Sequence, residues 1–214
     1  MNAIVQHEHG PAVRVVDCYD ATILGAPFQV VLIDAVKAIT AKSGKVKHQI
    51  PDLPGLMKAI VRTRVQHAQK LSGAEIKFVR KALGLKSKTM AQFLDVTPEH
   101  MSRVEAEAKV LSGASEKLFR LYSYAASLCA DPEAALSFDD SEADGLAMCD
   151  QAEVQPFQKL VSRFLSMEIK TFRNPDKLLR FAFIRPRRGD FTEGEVDGEI
   201  DGGKWLKEPK LIAA

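Results

Sequence analysis

The side chains best suited to binding chemistry lie on one face of a predicted helix near the middle of the chain. Thr97 and Pro98 are typical of a helix start, because Thr caps the first turn and Pro is well tolerated at the first helical position. Met101 and Val104 fall on the inner face at helical spacing. An exposed arginine can donate two hydrogen bonds to guanine, and Ser or His can bond bases or phosphates. The polar residues left on the outer face are Glu99, His100, Ser102 and Arg103.

A shorter helix and a tight turn would position this helix. The shorter helix is predicted over 87–94, with Met90 and Leu94 buried, and Asp95 and Val96 make the turn. Two short helices joined in this way can place the second one in the DNA major groove, while the first crosses the backbone. Cations and a hydroxyl at the start of the shorter helix suit a phosphate group. These residues are Lys86, Ser87 and Lys88.

Two more helices are predicted before this pair. One runs from about 51 to 68, where apolar residues recur at helical spacing. The next begins after Ser72, since Ser72 and Glu75 have the spacing of a capping box, and Gly84 is typical of its end. Its predicted inner face consists of Ile76, Val79, Ala82 and Leu83.

The sequence here resembles the Cro/C1-type (XRE-like) helix-turn-helix family, in LSGAEIKFVRKALGL at 71–85 and MAQFLDVTPEHMSRVE at 90–105. With IPDL at 50–53, it is more narrowly similar to the DNA-binding domain of MqsA-like antitoxins. The resemblance covers roughly residues 50–125 and implies a dimeric repressor that binds an operator. The resemblance would place the Ser87 side chain in contact with a DNA phosphate. The family's other DNA contacts would fall on Thr97, Glu99, His100, Ser102 and Arg103.

Several positions depart from the family pattern. The family usually has Gly where Asp95 stands and Trp where Val104 stands, and the glutamine that opens its second helix is lost at Lys86-Ser87. MqsA-like proteins often carry an N-terminal zinc module with paired cysteines. Only Cys18 is available in that region, so we expect no metal and no other cofactor.

Composition places the chain in a broad class. It has 214 residues, 46% hydrophobic and 27% charged, which is typical of a globular protein, and its apolar runs are too short for a membrane span. We expect no secretory signal at the N-terminus. Three widely spaced cysteines indicate reduced thiols in a cytoplasm. His7 and His9 with Cys18 are spaced too loosely to predict a metal site.

Charge is strongly segregated although the formal net charge is only +2. Residues 42–109 contain 14 Lys and Arg against 6 Asp and Glu, whereas residues 131–153 contain 8 acidic residues and no basic one. A basic segment followed by an acidic one is expected when one part of a chain meets a polyanion. The same cations can equally well solvate helix faces.

Three further patterns have two interpretations each. Arg103 contacts DNA or pairs with Glu99, a weak interaction that could open on binding. The apolar stripe at 157–165 is interpreted either as part of the hydrophobic core or as a dimer interface. The basic stretch 185–188 is a second phosphate contact or a solvated loop.

The predicted fold class is α+β, with a central all-α helix-turn-helix bundle, a small N-terminal β region and a C-terminal α/β segment. Strands are predicted at 13–17, 28–33 and 178–184, and a helix at 155–169. The predicted domains are a strand-rich region, the DNA-binding domain, an acidic linker and a helix-strand region, at 1–48, 49–129, 130–153 and 154–214.

The expected function is a cytoplasmic, sequence-specific transcriptional regulator, a homodimeric repressor that binds a palindromic operator in double-stranded DNA. Two alternatives stay open: an antitoxin that binds a toxin and regulates its own operon, and a protein-interaction module with vestigial DNA binding. We expect no enzymatic activity, since the sequence has no Gly-rich phosphate loop, nucleophile elbow or His-Glu-x-x-His motif. We expect no membrane partner.

Overall fold

The computed structural model describes residues 12–129, 151–171, 178–185 and 204–207, and these form an α+β protein, as predicted. The strands in these ranges are β1 Ala12–Asp20, β2 Gln29–Thr40, β3 Val46–Gln49, β4 Arg180–Ile184 and β5 Leu206–Lys207. The helices are α1 Leu53–Val65, α2 Gly73–Ala82, α3 Ser87–Phe93, α4 Pro98–Glu105, α5 Gly113–Leu128 and α6 Gln151–Leu165. No helix in these ranges is long and apolar enough to cross a membrane.

Contacts group the chain into two compact units. The strand unit contains the described residues up to 22, those at 29–55, and those from 180 onward, and the helical unit contains 23–28 and the described residues of 56–179. The acidic segment predicted as a linker lies outside the described residues between positions 130 and 150.

The strand unit is a mixed sheet organised around the long strand β2. β1 pairs with β2 antiparallel over most of its length, interrupted where Asp17 of β1 faces two residues of β2, Asp34 and Ala35, and Asp34 has φ of 50°. The first half of β2 pairs with β4 in parallel, from Gln29 opposite Arg180 to Ile33 opposite Ile184. Its second half pairs with β3, and β4 pairs with β5. The predicted strands at 13–17, 28–33 and 178–184 are confirmed, and β2 extends well beyond the prediction.

The helical unit confirms the predicted helix starts and inner faces. The Ser72 hydroxyl accepts a hydrogen bond from the Glu75 N–H at 3.2 Å, and Glu75 Oε2 accepts one from the Ser72 N–H at 2.7 Å. This reciprocal pair is the capping box that the sequence predicts. Of the predicted inner-face residues, Ala82 is only half-buried. The buried ones are Ile76, Val79, Leu83, Met90, Leu94, Met101 and Val104.

Helix α6 packs against α5 through Phe164, which is fully buried beside the ring of Tyr124. The helix begins four residues before the predicted start at 155 and ends at Leu165, four residues before the predicted end. Pro156, which favours a helix start, instead lies inside the helix. Phe164 confirms the predicted apolar stripe as core at that position.

A buried ion pair holds the connection between α1 and α2. The guanidinium of Arg64 is fully buried, and its Nε and Nη2 donate to the two carboxylate oxygens of Glu75 at 2.9 and 2.8 Å. The same guanidinium donates to the carbonyl oxygens of Gln69 and Lys70, each at 3.1 Å. Since Glu75 also caps α2, one carboxylate joins the start of that helix to the preceding segment.

A second buried pair joins α5 to the same connection. The Nε and Nη2 of Arg120 donate to Glu116 Oε1 at 3.1 and 2.7 Å. Its Nη1 donates to the carbonyl oxygens of Val65 and His67 at 2.9 and 2.6 Å, and its Nη2 to that of Gln69 at 2.7 Å. These bonds satisfy carbonyls at and beyond the end of α1, which lies at Val65 and not near 68 as predicted.

Candidate nucleic-acid interface

A tight turn between α3 and α4 orients the helix that carries the predicted contacts. The chain leaves α3 through hydrogen bonds from Asp95 N to Gln92 O at 3.2 Å and from Val96 N to Ala91 O at 3.0 Å. Asp95 has φ of 51°, a left-handed conformation that glycine adopts without strain and Asp tolerates better than most residues. The predicted turn is therefore confirmed, and it explains how Asp95 can stand where the family pattern has Gly.

The strain at Asp95 gives a stability prediction. Asp95→Val should lower the free energy of unfolding by about 1–2 kcal/mol, because a β-branched side chain is poorly accommodated at positive φ. Asp95→Gly should leave it unchanged or raise it slightly, and Asp95→Asn is the matched control, with an expected change below about 0.5 kcal/mol. Urea denaturation measures all three. Equal stability of the Val and Gly variants would show that this turn is not under strain.

The start of α4 is capped as the sequence predicts. Thr97 Oγ1 accepts a hydrogen bond from the His100 N–H at 3.1 Å, and Pro98 occupies the first helical position. Hydrogen bonds from the backbone N–H of Glu99 and from the Thr97 hydroxyl, with a smaller contribution from the charge of Arg103, hold the pKa of Glu99 below its usual value. Among the described residues no ion pair joins Arg103 to Glu99, so the guanidinium is available to a ligand.

The outer face of α4 consists of Thr97, Glu99, His100, Ser102 and Arg103. The structure exposes all of these side chains except His100, which is half-buried. Met101 and Val104 on the opposite side of the helix are fully buried. The residues predicted to read bases thus share one accessible surface, and the residues predicted as core support it.

The predicted phosphate contacts lie around the start of α3. Lys86 precedes the helix and Lys88 lies in its first turn, and both side chains are exposed, whereas Ser87 is half-buried. Neither lysine lies inside the core, so both can meet a phosphate group from solvent.

Helix α4 is attached to α2 by contacts that the sequence analysis missed. Arg80 on α2 donates through Nε and Nη2 to the two carboxylate oxygens of Glu105 on α4, at 2.5 and 2.8 Å. Its Nη1 donates to the carbonyl oxygen of Leu85 at 2.8 Å, so one guanidinium fixes both the end of α4 and the approach to α3. The hydrogen bond with Glu105 raises the pKa of Arg80. Opposite charges 25 residues apart carry no local signal that would have predicted this pair.

Gly73 lets α2 approach the end of α4 closely. A Cβ atom at this position would collide with the backbone carbonyl oxygen of Val104 and with the side chain of Glu107. The Glu107 carboxylate also accepts a hydrogen bond from Ala74 N at 3.3 Å. Together with the Arg80 pair, this contact fixes the direction in which the outer face of α4 points.

The described residues contain no group of three or more His, Cys, Asp or Glu side chains that could hold a metal ion. Cys18 is exposed and Cys129 half-buried, and both are free thiols. His7 and His9 lie outside the described residues.

Comparison with protein-family models, with curated proteins and with solved structures found no match to this chain. The interpretation of the interface therefore depends on the residues themselves.

Proposed function

We propose that α3, the turn at Asp95 and α4 form a helix-turn-helix within a helical bundle, and that the protein is a sequence-specific transcriptional regulator of double-stranded DNA. The observation that carries the proposal is the polar, exposed outer face of α4, on a helix whose other face is buried and whose end is held by Glu105. A recognition helix needs this combination, since it must present a few side chains to base edges in a fixed orientation.

Each predicted contact has a distinct role in this proposal. Lys86, Ser87 and Lys88 contact phosphates and set the register of the protein on the duplex. Arg103 donates to guanine, and Ser102 and His100 bond neighbouring bases or phosphates. Glu99 is an exposed carboxylate that is ionised at neutral pH, so it can accept a hydrogen bond from the cytosine amino group, and its charge repels a nearby phosphate.

An apolar stripe on α5 supports the homodimeric repressor proposed from the sequence. Its members are spaced by four and three residues alternately, the pattern of a helix–helix seam. Leu118 is 46% exposed and Leu128 is 60% exposed, although each is a large apolar side chain. A second copy of this chain would cover them. The members of the stripe are Ala114, Leu118, Leu121, Ala125 and Leu128.

A charge in this stripe should disrupt the dimer. Leu118→Lys is expected to raise the dimer dissociation constant by about tenfold to a hundredfold, because an ammonium group would be desolvated in an apolar seam. Val110→Lys is the matched control, since Val110 is 72% exposed and lies outside the stripe. Sedimentation equilibrium measures both constants. A change for neither variant, or for both equally, would assign dimerisation to another surface.

We place the protein in the cytoplasm, without a cofactor and without enzymatic activity. The odd number and wide spacing of the three cysteines support this placement, because a disulfide framework would need paired cysteines. The DNA-binding proposal is tested by selecting bound duplexes from a randomised pool. A homodimer should enrich a palindrome whose half-sites lie about 34–36 Å, or one helical turn, apart. A pool that stays random after several rounds contradicts sequence-specific binding.

A further inference from the structure

The hairpin formed by β2 and β3 places an exposed turn and the exposed strand β3 at one edge of the strand unit. Its turn is closed by hydrogen bonds from Gly44 N to Ala41 O and from Ala41 N to Lys45 O, each 2.9 Å long. Gly44 has φ of 78°, which completes a three-residue hairpin loop with a left-handed third residue. The segment 42–44 is thus a defined turn between paired strands.

The paired part of the β2–β3 hairpin, with its turn, carries several positive charges and no acidic residue that would balance them. Residues 35–51 contain four lysines and no acidic residue, and every residue from 41 to 49 is exposed. Among the described residues none of the four lysines takes part in an ion pair. The lysines of the hairpin are Lys37, Lys42, Lys45 and Lys47.

The strand register places these cations on two adjoining surfaces. Lys47 lies opposite Ile39, and Lys37 lies two residues along the same strand from Ile39, so Lys37 and Lys47 share one face of the hairpin. Lys42 and Lys45 flank the tip. Cations arranged along a sheet edge and around a turn match a ligand with regularly spaced negative charges better than they match a single carboxylate or phosphate.

We propose that the β2–β3 hairpin makes a second, sequence-independent contact with the phosphate backbone of DNA. The inference rests on the proposed DNA-binding function and adds a contact from the strand unit. Because β2 also pairs with β1 on its other side, β3 and the turn form an exposed edge of the sheet, and such an edge can lie along a phosphate backbone. Lysine recognises phosphate as a point charge without reading bases.

The basic stretch 185–188 is a different candidate for a second contact, predicted from the sequence. The structure buries Arg185, whose guanidinium lies over the ring of Trp205, and residues 186–188 lie outside the described range. Arg185 is therefore part of the strand unit's interior. Lys42, Lys45 and Lys47 are exposed and Lys37 is half-buried, so the hairpin lysines have an accessibility that this arginine lacks.

The test compares the salt dependence of DNA binding between two charge-matched double variants of the full chain. Lys45→Gln/Lys47→Gln removes two hairpin cations, and Lys159→Gln/Arg163→Gln removes two exposed cations from α6. Binding to random duplex DNA is measured between 50 and 200 mM salt, and the slope of log K against log salt is compared between the variants. In the hairpin variant this slope should become shallower by about 1.8, or about 0.9 per lysine. Affinity near 0.1 M salt should fall roughly five- to tenfold per lysine.

The outcomes separate this inference from the proposed function. An unchanged slope in the hairpin variant, or an equal loss in the α6 variant, overturns the hairpin contact even if the wild-type protein selects an operator. A wild-type protein that binds all DNA equally, yet loses slope in the hairpin variant alone, supports the hairpin contact and contradicts the helix-turn-helix proposal. Binding of wild-type protein to phosphatidylserine vesicles but not to DNA overturns both.

Discussion

Replacing Glu116 by alanine is expected to lower the free energy of unfolding by about 3–5 kcal/mol, the largest stability effect of any variant considered. The Glu116 carboxylate accepts hydrogen bonds from Arg120, from Leu71 N at 2.9 Å and from Lys70 Nζ at 3.0 Å. The variant leaves the Arg120 guanidinium fully buried without the carboxylate to which it is hydrogen-bonded. Burial already lowers the pKa of Arg120, and Glu116 is the main group that opposes that shift, so its loss leaves only the weaker effect of Glu75 against desolvation.

Two controls distinguish this cause from a general effect of losing a carboxylate. Glu99→Ala removes a fully exposed carboxylate and should leave the free energy of unfolding nearly unchanged. Glu116→Leu/Arg120→Met removes both partners and should recover much of the loss, because no buried charge is left unpaired. Chemical denaturation monitored by circular dichroism measures each variant, and Glu116→Gln replaces Glu116→Ala if the latter does not fold. If Glu116→Ala and Glu116→Gln each lower the free energy of unfolding by less than about 1 kcal/mol, the proposed role of the Glu116–Arg120 pair is contradicted.

Arg103→Ala is expected to weaken binding to the operator by about 1–3 kcal/mol, or roughly 5- to 150-fold, and to change binding to random DNA far less. The reason is that a guanidinium bonded to a guanine edge contributes only where that guanine is present. The side chain is exposed, so its removal should change the free energy of unfolding by no more than about 0.5 kcal/mol.

Lys88→Ala is the matched variant for Arg103→Ala, because it also removes one exposed cation of the proposed helix-turn-helix. We expect it to weaken operator and random DNA alike and to reduce the salt slope by about one. Fluorescence anisotropy with labelled duplexes measures all four combinations. Equal losses on operator and random DNA for Arg103→Ala would remove Arg103 from base recognition and leave it as a phosphate contact.

Sequence reasoning succeeded where the signal is local. The capping box of Ser72 and Glu75, the cap formed by Thr97 and Pro98, and the turn at Asp95 each depend on residues within a few positions, and each is confirmed. Their physical cause is the need to satisfy backbone groups at helix ends, and few residue types can do this.

Sequence reasoning failed where the partners are far apart. The parallel pairing of β2 with β4 joins residues about 150 positions apart, and no sequence pattern in either strand predicts which strand it pairs with. Arg64, Arg120 and Glu116 belong to residue types that are usually exposed, so nothing local marked them as buried. Strand β3 was missed because all its residues are exposed and it lacks apolar alternation.

The α5 stripe is an intermediate case. Its four-and-three spacing is visible in the sequence, but the same pattern is equally typical of a helix face buried in the protein's own core. Only the structure distinguishes the two, because it leaves Leu118 and Leu128 exposed and buries Phe119 and Ala126.

The most direct test of the central claim is a competition band shift with the DNA that lies upstream of the protein's own coding sequence, at two salt concentrations. The account predicts a complex that weakens as salt rises and that resists a large excess of random DNA at both concentrations. Loss of the complex to random competitor at the same rate as to unlabelled upstream DNA, or no complex at all, would contradict recognition of an operator there by α4.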